Sequence, residues 1–178
     1  MADHRIELLE EEIDWLERPE MAVAGMLADQ PVTGAGIPWP LADDYYVRTD
    51  ALKYCSRGRI SAFNGFYNPR EWRSGIYHAG VTVSITCDST IDSIRMNLVV
   101  EDQRGSRRAN TYVESIRQAQ DHAVLRGKTC FNLSMLFEVY SIRTVNVSAL
   151  MNATGSGALT IDASSTMWIH RVRGLSDV

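Results

Sequence analysis

Gly80-Val81-Thr82-Val83-Ser84-Ile85-Thr86 and Ile94-Arg95-Met96-Asn97-Leu98-Val99-Val100 both alternate with a period of two. Successive side chains of a strand point to opposite faces, so Ile94, Met96, Leu98 and Val100 share one face. The pattern recurs downstream at Phe131, Leu133 and Met135, at Val145 and Val147, at Leu159 and Ile161, and from Thr166 to Val172. Turn signals separate these runs: Asp102 to Ser106, Arg126-Gly127-Lys128 and Gly155-Ser156-Gly157. Upstream, Ala62-Phe63-Asn64-Gly65-Phe66-Tyr67 sets Asn-Gly between aromatics, a strong hairpin signal. Residues 114–124 fit either one helical turn pattern (Ile116, Ala119, Ala123) or a long loop. Strands at roughly ten- to fifteen-residue spacing without intervening helices indicate an all-β antiparallel sandwich.

The first fifty residues read differently. Ile6, Leu9, Ile13 and Leu16 recur at three- and four-residue spacings, a two-heptad seam on an amphipathic helix over residues 1–18. Pro19 ends it. So short a helix is marginal alone, and its stripe must bury against something. Ile at a and Leu at d favour a two-stranded coiled coil, yet two heptads are too few to set stoichiometry. The stripe is therefore expected to dock rather than to count subunits. Residues 19–58 hold four of the five prolines (Pro19, Pro31, Pro38, Pro40) among apolar residues, which suggests an extended arm lying along another surface. Trp39, between two prolines, is its candidate anchor. The β-sandwich domain is expected to span residues 59–178.

Of the 178 residues 45% are hydrophobic and 22% charged, with a net charge of −4, an ordinary globular balance. A phosphate-binding surface needs an excess of Lys and Arg, so nucleic acid is not an expected partner. Arg104, Arg107 and Arg108 read as a solvated turn. No apolar run is long enough to span a bilayer, and residues 2–20 are acidic rather than signal-like. Synthesis in a cytosol is expected, with no membrane partner. Cys55, Cys87 and Cys130 lack disulfide or zinc spacing and read as buried free thiols.

Chemistry is sparse. His4, His78, His122 and His170 are scattered, with none at i,i+4, so neither metal nor cofactor is expected. Asp43-Asp44 and Asp88-Ser89 read as turns, and no paired carboxylates or nucleophile motif is present. Asn132, Asn146 and Asn152 open Asn-x-Ser/Thr triplets that fit strands with a polar face. Trp15 and Trp168 are expected to pack within the helix and the last strand.

Ser74-Gly75-Ile76-Tyr77-His78-Ala79-Gly80-Val81-Thr82-Val83, the run from Thr129 to Ala149, and Ser165-Thr166-Met167-Trp168-Ile169-His170-Arg171-Val172 resemble the C1q/TNF-type jelly roll. The tail from Gly155 to Ile169 is similar in style to small bacteriophage virion proteins of this fold. The resemblance implies a compact homotrimer with a display or binding role and no catalysis. The resulting expectation is a non-enzymatic capsid decoration protein on the virion surface. It would attach to a major capsid or tail protein through Ile6, Leu9, Ile13, Leu16 and Trp39. The alternative is a fibre-borne head that contacts a host glycan through Tyr67, Trp72 and Arg107.

Overall fold

A strand of 29 residues, Gly75–Gln103, runs against one of 28, Tyr112–Val139. Straight, either would span roughly 95 Å, several times the ~16 Å radius of gyration of a chain this size. Both must bend. The computed structural model describes residue 6 and residues 21–32, 41–47, 51–55, 66–68, 74–103, 112–139, 144–155 and 158–174. In chain order the strands are β1 (Met21–Gly25), β2 (Gln30–Pro31), β3 (Leu41–Tyr46), β4 (Ala51–Cys55), β5 (Phe66–Asn68), β6 (Gly75–Gln103), β7 (Tyr112–Val139), β8 (Thr144–Gly155), β9 (Leu159–Ile161) and β10 (Thr166–Gly174). Their pairings are all antiparallel.

The bend lies between Cys87 and Ser93. Against β7 the register jumps from Cys87↔Gly127 to Ile91↔Leu125, and Gly127 takes a φ of 82° that other residues rarely adopt. Against β8, Ile91 faces Gly155 and Ser93 faces Thr154, so β6 carries one extra residue. The burial phase switches there. Tyr77, Ala79, Val81, Val83, Ile85 and Cys87 are buried before it, Ile91 within it, and Ile94, Met96, Leu98 and Val100 after it. Without the extra residue, the apolar set of the second half would face solvent. All of these join one core with Phe131, Leu133, Phe137, Val145, Val147 and Met151.

The bend divides the pairings into two layers. One runs β4–β1–β10–β6(75–87)–β7(127–139), the other β3 and β5–β8–β6(91–103)–β7(112–125). In chain order the pairs nest: β1 with β10, β3 with β8, and the two halves of β6 with those of β7. Four nested antiparallel pairs wound over two layers make a jelly-roll sandwich. The expected all-β fold stands.

Several local expectations change. The supposed arm is woven into the sheet: β1 sits between β10 and β4, with Ala22 and Ala24 fully buried opposite Ile169 and Met167. The Pro and Gly residues punctuate short strands. Pro31 lies on β2, which among the described residues pairs with β9 alone, an edge position that tolerates a missing N–H. Residues 114–124 are strand, Asp43-Asp44 lies in β3, and Asp88-Ser89 in β6. Cys87 is buried, but Cys130 is exposed, on the outward phase of β7. The Asn64-Gly65 hairpin lies outside the described residues.

β9 and β10 together line one edge of β6 but break opposite Ser84. The interrupted ladder is replaced atom by atom. Asp162 N–H donates to Ser84 O (2.8 Å), and Ser84 N–H donates to Ser165 Oγ (3.0 Å). The Asp162 carboxylate accepts from Ser84 Oγ (2.9 Å) and Thr86 Oγ1 (3.0 Å) and pairs with Lys128 Nζ (3.0 Å). Ala163 N–H donates to Asp29 Oδ1, which ties in the loop after β1. Burial works against ionisation of Asp162, but the hydrogen bonds from Lys128, Ser84 and Thr86 and the Lys128 charge outweigh it. They hold the carboxyl below its ordinary range.

A group depressed in the folded state stabilises above its unfolded pKa, and that stability is lost as pH falls through the folded value. Thermal unfolding of wild type should therefore show a loss of stability on acidification below about pH 4. Asp162→Asn should lower stability by about 1–3 kcal/mol at neutral pH and weaken that acid dependence.

Candidate functional site

The layer built on β10 has an outward phase opposite to its core phase. Along β10 this phase carries Thr166, Trp168, His170 and Val172, with Met167 and Ile169 buried between them. Register aligns these residues with their neighbours. Val23, Trp168, Gly80 and Ser134 form one row across β1, β10, β6 and β7. Met21, His170, His78 and Leu136 form the next.

Gly80 determines how the first row packs. A Cβ added there would fall 2.3 Å from Trp168 Cζ2 and 2.5 Å from Cε2, so the indole lies against the bare Cα. From that position Trp168 stacks on His170 (5.5 Å, 21°) and meets His78 edge-on (4.7 Å, 86°). His78 and His170 are themselves 5.3 Å apart at 73°. Beyond the aromatics, Leu136 is 61% exposed and Val172 42%. The face is thus a half-buried aromatic cluster continued by open aliphatic side chains. Partial burial, and then the charge of His78, make His170 harder to protonate than an ordinary histidine.

The other layer is different on its outward phase. Arg95 holds Asp121 through two hydrogen bonds (2.7 and 3.0 Å), Ser93 meets Thr154, Asn97 donates to Asn152 Oδ1, and Asn146 donates to Glu101. Val99 and Leu150 are buried on this phase as well. The Asn-x-Ser/Thr asparagines make such contacts too: Asn132 accepts from Thr82 across the ladder and donates to Cys130 Sγ along its own strand. Ser148, the third residue of one triplet, is buried.

Among the residues singled out from the sequence, Ile6 is 54% exposed. Leu9, Ile13, Leu16, Trp39, Trp72 and Arg107 lie outside the described residues. Tyr67 lies in β5 opposite Asn146. The three glycan-contact residues are therefore not brought together by what is described. Sequence reasoning missed the His78–Trp168–His170 cluster. The buried phase of β6 and β10 puts these residues on the outward side, but their adjacency depends on pairing strands about ninety residues apart.

The sequence matches no family model and no curated protein. Among solved structures, the chain is similar to Eiger TNF from S. frugiperda (TM-score 0.48, 10% identity), covering 90% of this chain and 97% of that one. It is also similar to murine APRIL (TM-score 0.48, 15% identity), covering 86% of this chain and 99% of that one. The jelly-roll assignment rests on the nested strand pairing.

Two outcomes follow from the cluster. Gly80→Ala should push the indole aside and cost stability, and the penalty should shrink in a Trp168→Ala background, a coupling that a double-mutant cycle of unfolding free energies measures. Below the ordinary histidine value of 6.5, an unfolded chain protonates His170 before the folded one does. Stability should therefore fall as pH drops from about 6.5, and His170→Asn should flatten that part of the profile.

Proposed function

We propose that the chain is a non-enzymatic display protein that self-associates as a homotrimer on a virus particle, that of a bacteriophage. Residues 1–18 would fasten it to a capsid or tail protein. The observation that carries the self-association is the outward face of β10, β6 and β7, where Trp168, His78 and His170 continue into exposed Leu136 and Val172. Aromatic residues supply large area at low entropy cost and dominate interfaces, and an apolar rim next to them adds area removed from water. In a trimer, three copies of the Ile6–Leu9–Ile13–Leu16 stripe act together. A weak contact per chain then becomes firm attachment through effective concentration.

Because β1 is part of the sheet, the attachment test must stop short of it. Deleting residues 1–18 should leave the oligomer intact and abolish incorporation into particles; undiminished incorporation would remove the attachment role. Sedimentation equilibrium of the full chain should give three times the 20.0 kDa chain mass. Leu136→Asp, at an exposed position, should shift the equilibrium to monomer while the chain keeps the far-ultraviolet circular dichroism of the wild type. A monomeric wild type would sink the self-association reading. Glycan binding lost on Trp72→Ala would favour the receptor-binding alternative instead.

A further inference from the structure

We propose that His78 and His170 chelate one divalent transition-metal ion of the zinc, nickel or copper class on the outward face of β6 and β10. The two residues are direct cross-strand partners, the register at which side chains come closest. Their ring centres are 5.3 Å apart. Two imidazoles that ligate one ion at about 2.0–2.1 Å, at a tetrahedral angle, place their ring centres about 5 Å apart. The backbone ladder thus already sets the spacing that chelation requires.

Three further features suit the pair to this task. Among the described residues, neither imidazole has a hydrogen bond or ion pair, so their ring nitrogens are not committed elsewhere. Trp168 packs against both rings and walls one side of the site, and the missing side chain of Gly80 makes room for the indole there. The tendency of His170 to remain neutral favours the ligating form of the ring at physiological pH. Imidazole suits zinc, copper and nickel better than calcium or magnesium, which prefer oxygen. Two protein ligands leave the remaining positions to water or to an incoming group. Among the described residues no third His, Cys, Asp or Glu joins the pair.

The site lies on the face proposed above for self-association, but one chain supplies both ligands, so binding is expected in Leu136→Asp whether or not the oligomer forms. The test is calorimetric titration of zinc chloride into EDTA-stripped full-length protein at about pH 7.5, with nickel chloride as a second probe and calcium chloride as a control. Saturable zinc binding is expected, weakened by about tenfold or more in His78→Asn and in His170→Asn. It should be unchanged in His122→Asn, whose ring packs on Phe131 beside the bend of β7. Zinc should also perturb the imidazole proton resonances of His78 and His170 in the wild-type protein, a readout independent of how the variants fold. Binding that persists in Leu136→Asp would separate the metal site from the oligomer. No saturable binding at roughly millimolar zinc, or binding that survives loss of both histidines, would overturn the proposal.

Discussion

The kinked ladder between β6 and β7 is the constraint from which the rest of the structure follows. Two strands too long to run straight must fold over, and they do so where Gly127 accepts a positive φ and β6 inserts an extra residue opposite Gly155 and Thr154. The insertion moves the buried phase from odd to even positions, so both halves present their aliphatic side chains to one core. Every other described strand except β4 then pairs with a half of β6 or with a strand that does, and β4 follows from β1. β10 and β9 extend from the first half and β8 from the second, while β1, β3 and β5 are added outside these. A break in this ladder would therefore disturb both layers at once, unlike a break in an outer strand such as β2.

Much of this was legible in the residues. Alternation over 80–86 and 94–100 identified the strands, and the opposite phases of Ile85 and Ile94 already imply an irregularity between them. Arg126-Gly127-Lys128 was a correct sign of a change in direction, although the chain bends there within one ladder instead of reversing. β1 was harder to see, because its buried residues are Ala22 and Ala24 and its proline- and glycine-rich setting masks a five-residue strand. Residues 114–124 misled for another reason. In β7, Gln118, Gln120 and His122 lie opposite Leu98, Met96 and Ile94, so a polar segment is held as strand by the apolar partner it pairs with. Tertiary pairing decides such a segment, and local pattern does not record it.

The candidate face illustrates the same limit. Each of His78, Trp168 and His170 can be placed on the outward phase from its own strand. That they meet depends on β10 pairing with the first half of β6, a long-range contact. Gly80 is a clearer local sign: a glycine amid Ala79, Val81 and Val83 weakens a strand unless something lies close over it. Here that neighbour is the Trp168 ring.

The two layers therefore differ in what their outward residues require. On the β8 side, polar groups largely find partners across the sheet: Arg95 with Asp121, Asn97 with Asn152, Asn146 with Glu101. Val99, Asn97, Ser148 and Leu150 are already buried on this phase, and at the exposed Arg95–Asp121 pair a newcomer must replace hydrogen bonds already made. On the β10 side, a tryptophan and two imidazoles contact one another through ring faces and edges, and exposed aliphatic side chains continue the patch. Covering that surface removes apolar area from water and displaces few existing hydrogen bonds. The asymmetry follows from one strand pairing: β10 against the first half of β6 brings both histidines and the tryptophan into two adjacent rows.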